Sequence, residues 1–283
     1  NRLLQGDVGS GKTIVSVLAA AIAVSNKVQV AVMAPTEILA HQHFESFKKH
    51  MEIAHITCAI LVGGTATKER ESILKSLADG RINIIIGTHA LIQKDVAFKT
   101  LGLAIVDEQH RFGVIQRGNI ISKGLNPHLL AMTATPIPRT LAITYHGDMD
   151  LSIIDEMPKN RIPVVTKVVE EGRLEKVYQF MKDEVSAGRQ CMVVYPLVEE
   201  TEKSDLIAAV EMHANLSKKI FSELKVGLIH GRMKKDEKDN VMDAYAKNEI
   251  HILISTTVIE VGIDIPNATV MLIEHAERFG LTQ

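Results

Sequence analysis

Eight residues constrain this chain more than any others. Gly6-Asp7-Val8-Gly9-Ser10-Gly11-Lys12-Thr13 fits Gly-x-x-x-x-Gly-Lys-Ser/Thr at every position. Glycines let a backbone wrap closely around phosphate groups with its N–H bonds turned inward. Leu3-Leu4-Gln5 reads as the end of a strand, and Lys12–Val24 reads as an apolar helix. That helix would add the positive end of its dipole to the loop. The pattern predicts that Gly6, Asp7, Val8, Gly9, Ser10, Gly11, Lys12 and Thr13 cradle a nucleoside triphosphate. Lys12 would reach the β- and γ-phosphates, and the Thr13 hydroxyl would hold Mg²⁺. A Gly-rich turn matching by chance would not need a strand before it and a helix after it.

The rest of the chain alternates in the way such a loop requires. Short, β-branched apolar runs at Val28–Met33, Ile56–Val62, Ile82–Ile86, Leu103–Val106 and Leu129–Met132 read as strands buried on both faces. Helical patterns at Glu37–His50 and Thr67–Asp79 separate them. The alternation stops across Gly147–Pro163, which reads as an inter-domain connection. It then restarts, with strands at Gln190–Tyr195, Val226–Ile229, His251–Ile254 and Thr269–Ile273 and helices near Leu174–Ala187, Asp205–Leu224 and Lys235–Ala246. Strand–helix alternation means a parallel sheet with helices on both sides. The fold class expected is α/β, with two parallel-sheet domains in tandem at 1–155 and 156–283. The length of 283 residues agrees, at roughly 150 residues per domain.

Composition excludes several functions. The longest apolar run, Val17–Val24, is eight residues, against roughly 20 for a membrane span, so no membrane partner is expected. Cys58 and Cys191 are too few for a disulfide scaffold and suit a reducing, cytoplasmic setting. Neither cysteine has metal-finger spacing, and His41 and His43 are two apart, off a common helix face, so no zinc site is expected. The net charge of −2 does not hold a chain to nucleic acid in bulk. With 4% aromatics and no Trp, a base-stacking platform is excluded as well.

A phosphate loop of this kind needs an acidic residue at the end of another strand. Leu103-Ala104-Ile105-Val106 ends in Asp107-Glu108-Gln109-His110. Successive residues leaving a strand point in different directions. Asp107 can therefore serve the metal while Glu108 orients and deprotonates a water.

The Asp-Glu-Gln-His box and the phosphate loop together resemble the superfamily 2 helicases, whose lobes have a RecA-like fold. Pro35-Thr36-Glu37-Ile38-Leu39-Ala40, Gly87-Thr88-His89-Ala90 and Thr133-Ala134-Thr135-Pro136 resemble further motifs of that superfamily, in its order. Asp107 through Val114, Thr133 through Thr140, Ser152 through Glu156 and His230-Gly231-Arg232-Met233 resemble the RecG-type bacterial branch-migration helicases over essentially the whole chain. The related transcription-repair coupling factors usually carry Glu where Gln109 stands and Phe where Ser10 stands.

The resemblance implies an ATP- and Mg²⁺-dependent DNA helicase motor, acting as a monomer on forks and Holliday junctions in recombination and repair. It assigns Pro35, Thr36, Thr88, His89, Arg232, Thr256 and Thr257 to DNA, and Gln109, His110, Thr133, Ala134 and Thr135 to coupling between ATP and DNA. Gly262 and Asp264 fall on the nucleotide side. On spacing alone, Ser255-Thr256-Thr257 is equally a capped strand–helix junction, and Arg232 is equally a solvated surface charge. The family's last motor motif, with its arginines, would follow Gln283, and a junction wedge would precede residue 1. Residues 1–283 alone are therefore expected to be deficient in hydrolysis. A coupling-factor translocase and a non-catalytic nucleotide switch are the alternatives.

Overall fold

Seven short parallel strands form the first sheet. In chain order they are β1 (Arg2–Gly6), β2 (Gln29–Met33), β3 (Cys58–Leu61), β4 (Ile84–Gly87), β5 (Leu101–Val106), β6 (His128–Thr133) and β7 (Asp150–Ile154). In space they run β3-β4-β2-β5-β6-β1-β7. The computed structural model describes residues 1–108, 112, 114–134, 149–156, 162–196, 210–256 and 265–278. The chain divides into two units, Asn1–Ile162 and Pro163–Gln283. That division lies beyond the 155/156 boundary expected from the break in strand–helix alternation.

Alternate side chains of the first sheet enter two separate cores, which is why its strands read as continuous apolar runs. On one face Val30, Val32, Ile84, Ile86, Ile105 and Met132 meet α1 (Lys12–Ser25) and α2 (Glu37–Met51) through Val17, Ala20, Leu39 and Phe47. On the other, Ala31, Met33, Ile85, Ala104 and Val106 meet α3 (Thr67–Ala78) and α4 (Val114–Ile121) through Leu77 and Ile120.

β7 lies inside the stretch read as a connection. It is an edge strand with a mixed, half-exposed pattern, so its sequence lacks the buried-strand signature. Arg2 on β1 ties it down, donating to Ser152 Oγ at 2.7 Å and to Asp150 Oδ2 at 3.2 Å.

Among its described residues the second unit has four parallel strands, β8 (Gln190–Tyr195), β9 (Val226–Ile229), β10 (Ile252–Thr256) and β11 (Ala268–Ile273), in the order β11-β8-β10-β9. Its core gathers Cys191, Val193, Ile252 and Ile254 against Met181 of α5 (Leu174–Ser186), with Leu216 and Phe221. The helix expected over Asp205–Leu224 ends earlier. Helical residues 210–215 pass into a π-helical turn, Leu216–Ile220, closed by Phe221 N–H to Leu216 O at 2.7 Å. Among the described residues the last α-helix is α6 (Lys235–Ala246).

Both units are locked by a buried glutamine at the start of a central strand. Gln29 Nε2 donates to Leu77 O at 2.9 Å and Ile82 O at 2.8 Å, and its Oε1 accepts from Lys99 N and Thr100 N. Gln190 Nε2 donates to Tyr245 O at 2.6 Å and Ile250 O at 2.7 Å, and its Oε1 accepts from Asn267 Nδ2. In each case the partners are the last turn of one helix and the residues just before the two neighbouring strands. The trio β4-β2-β5 thus corresponds to β10-β8-β11. The correspondence extends to the strand ends. Asp107 N–H bonds Met33 O at 2.9 Å, Glu274 N–H bonds Val194 O at 3.0 Å, and the next residues, Glu108 and His275, have φ of 46° and 49°. The two units are versions of one fold.

Among the described residues, no helix is long and apolar enough to cross a membrane.

Candidate functional site

Because all strands of the first sheet are parallel, their C-terminal ends share one edge. In spatial order that edge carries Thr88 and His89 after β4, Pro35 and Thr36 after β2, Asp107 and Glu108 after β5, Thr133 and Ala134 at β6, and the phosphate loop after β1. Register fixes these neighbours: Gly87 pairs with Met33, Met33 with Val106, and Thr133 with Gln5. Residues scattered over 130 positions of sequence become one row. Open parallel sheets bind ligands at this edge.

The loop has the conformation that its glycines permit. Gly9 and Gly11 have φ of 79° and 100°, in the left-handed region that favours glycine. A Cβ on Gly6 would lie 2.5 Å from Ser10 Oγ. Ser10 N–H donates to Asp7 O at 3.1 Å, and Val8 N–H to Asp7 Oδ1 at 2.7 Å. Gly11 caps α1 without a side-chain bond, and the first turn of α1 holds no acidic residue. The positive end of the helix therefore keeps its attraction for an outside anion. The buried Ser10 Oγ has no hydrogen-bond partner among the described residues.

Lys12 is folded back over the loop. Its Nζ donates to Gly6 O at 2.7 Å and Asp7 O at 2.9 Å. Burial pulls its pKa below the ordinary lysine value, and the nearby carboxylates of Glu108, Asp107 and Asp7 oppose that pull. Lys12 and the carboxylates after β5 thus share one electrostatic environment across β6.

The two acidic side chains face different neighbours. Asp107 is buried. Its Oδ2 lies 2.7 Å from His43 Nε2 on α2, and its Oδ1 accepts from Glu108 N–H at 3.0 Å. Glu108 is also buried and turns toward β6, where its Oε2 stands 3.5 Å from Ala134 N. Its φ of 46° is unusual for a residue with a side chain, and such strain gathers at functional sites.

The donor set suits a nucleotide carried with Mg²⁺. Thr13 and Asp107 offer hard oxygen atoms, and Mg²⁺ takes one or two protein oxygens together with substrate phosphates.

Of the residues expected to meet DNA, Pro35 and Thr36 are half-buried, Thr88 is buried and His89 is exposed. Thr36 also caps α2, its Oγ1 accepting from Leu39 N–H at 3.3 Å. Thr88 Oγ1 is buried without a hydrogen-bond partner among the described residues. In the second unit Thr256 ends β10, buried and in register with Tyr195, and its Oγ1 likewise has no such partner. Arg232 is exposed in the turn after β9. Gln109, His110, Thr135, Thr257, Gly262 and Asp264 lie outside the described residues.

Sequence reasoning missed His43. It sits on the buried stripe of α2 with Leu39, Ala40, Phe47 and Met51. A polar residue on an apolar stripe must find a buried partner, and that was the available signal.

Comparison with known proteins gives two family matches. Residues 1–143 match the DEAD/DEAH box helicase family, and residues 172–280 match the helicase conserved C-terminal domain. The ATP-dependent DNA helicase RecG of Synechocystis sp. is 50% identical over the whole chain, which covers 34% of that protein. RecG of Thermotoga maritima is 52% identical, with 36% of it covered. The chain thus spans about a third of the length of these relatives. A structure of RecG bound to a three-way DNA junction superposes with a TM-score of 0.80 at 48% identity, covering 99% of this chain and 36% of that one.

Proposed function

The chain belongs to the DEAD/DEAH box helicase family and is RecG-like within it, and from that premise we propose that it is the motor of an ATP-dependent DNA helicase acting on branched DNA. The single observation that carries this reading is the row at the C-terminal edge of the first sheet. It sets a phosphate loop, a pair of carboxylates and the β2 and β4 ends side by side.

In this reading Lys12 leaves the carbonyls of Gly6 and Asp7 for the β- and γ-phosphates of ATP. Thr13 and Asp107 would hold Mg²⁺, whose positive charge would stabilise the phosphate oxygens. Glu108 accepts a proton from water as the water oxygen bonds the γ-phosphorus and the bridge to ADP breaks. Glu108 also stands against Ala134, so a change at the γ-phosphate reaches β6 directly. Thr133, Ala134 and Thr135, with Gln109 and His110, couple that change to DNA held by Pro35, Thr36, Thr88 and His89. Thr256, Thr257 and Arg232 serve DNA from the second unit, and Gly262 and Asp264 serve the nucleotide.

The junction-bound RecG relative supports branched DNA as the substrate, and it favours this reading over a coupling-factor translocase. A switch without hydrolysis would have no use for a strained, buried Glu108.

The test is ATP turnover and ATP binding by the full-length protein and its Glu108→Gln variant. The variant should bind ATP as the wild type does and lose at least about 100-fold in turnover. Turnover unchanged in Glu108→Gln would remove Glu108 from the base role.

A further inference from the structure

The second carboxylate oxygen of Asp107 is held by a side chain that no motif assigns. His43 is buried on α2, and its Nε2 lies 2.7 Å from Asp107 Oδ2, with both side chains about nine-tenths buried. The other oxygen, Oδ1, accepts the backbone N–H of Glu108. The carboxylate is therefore fixed at both ends, once by its own chain and once by a helix distant in sequence. A buried imidazole on an otherwise apolar stripe costs desolvation without a partner. The partner it has is the metal-side acid of the reading above.

We propose that His43 is a positioning residue for Asp107. With its proton on Nε2, the ring donates to Oδ2 and sets the rotation of the carboxylate. The remaining lone pairs then present a fixed face to Mg²⁺ or its water ligands. Partners that hydrogen-bond a metal-holding carboxylate typically change metal affinity 10- to 100-fold when removed. The helix gives the contact a second consequence. α2 starts at the Thr36 cap, directly after Pro35, and His43 lies seven residues on, two turns or about 10 Å along the axis. One rigid helix thus joins the DNA-side end of β2 to the metal-side carboxylate.

This inference rests on the nucleotide reading, and its test separates the two. The measurement is the affinity of a fluorescent ADP for the full chain, with and without Mg²⁺, beside a melting curve for each variant. In His43→Ala the gain in affinity due to Mg²⁺ should fall about 10-fold, while affinity without Mg²⁺ holds. His43→Gln, which can place a donor near Nε2, should restore much of the gain. His43→Phe fills the volume without a donor and should lose the gain while staying folded, which covers the case in which the alanine variant fails to fold. A wild-type gain fully retained in His43→Phe, or in a folded His43→Ala, overturns the positioning role alone. A wild type that shows no Mg²⁺ gain overturns the nucleotide reading, and this inference with it.

Discussion

Glu108 is the residue at which backbone and chemistry meet most tightly. Its left-handed backbone costs on the order of 1–2 kcal/mol relative to extended or helical geometry, and it turns the side chain from the α2 side of the edge to the β6 side. Asp107, one residue earlier, stays with His43. The turn thus separates two like charges that the sequence places next to each other. Lys12 shows the opposite economy. Its ammonium is half-buried and its pKa is drawn down chiefly by desolvation, and on the proposed reading the lysine serves a ligand more than the fold. Lys12→Met should therefore leave the melting temperature without nucleotide unchanged or raised, and should abolish the upward shift caused by ATP. A marked fall in melting temperature without nucleotide, with the ATP shift kept, would contradict that role. The phosphate loop and the Asp107–Glu108 pair were legible in the sequence because their chemistry needs fixed residue types at fixed spacing. His43 was not, since its partner is 64 positions away and only the folded sheet brings them together.

Among the elements, the buried strands announced themselves and the edge strand did not. β2, β4 and β5 are apolar on both faces because helices cover both faces. β7 is only half-buried and places Asp150 and Ser152 for Arg2 among its apolar residues, so it lacks the continuous apolar run of the inner strands. α4 was unread for a related reason: its eight residues include Gly118 and give too short a helical pattern. The glutamine locks were equally silent, because a single Gln at a strand start has no motif. Each joins one helix end to two neighbouring strands through its side-chain amide. Gln29→Leu would strand the Ile82 carbonyl and the N–H groups of Lys99 and Thr100, while Leu77 O keeps the Gly80 N–H, and should cost about 3 kcal/mol or more in urea unfolding. Gln190→Leu should destabilise the second unit in the same way and leave the affinity of the first unit for nucleotide intact. A loss below about 0.5 kcal/mol in both would mean that the locks are incidental.

Across the whole molecule, a chain of net charge −2 is assigned to a polyanionic track. Local placement reconciles the two. The residues assigned to phosphates sit at strand ends, where backbone N–H groups, hydroxyls and a few cations converge, and contacts of that kind position a strand without a basic surface. The second unit, a version of the same fold, supplies a second such edge, with Thr256 at the end of β10 and Arg232 in the turn after β9. The phosphate loop occurs in the first unit alone. On the proposed assignments the two edges would divide the work, the first serving ATP and DNA and the second chiefly DNA. The measurement that tests this most directly is ATP turnover by the full-length protein on forked or three-way-junction DNA beside linear duplex of equal length. The account predicts stronger stimulation by the branched DNA, lost in Glu108→Gln. Equal or greater stimulation by linear duplex would contradict it.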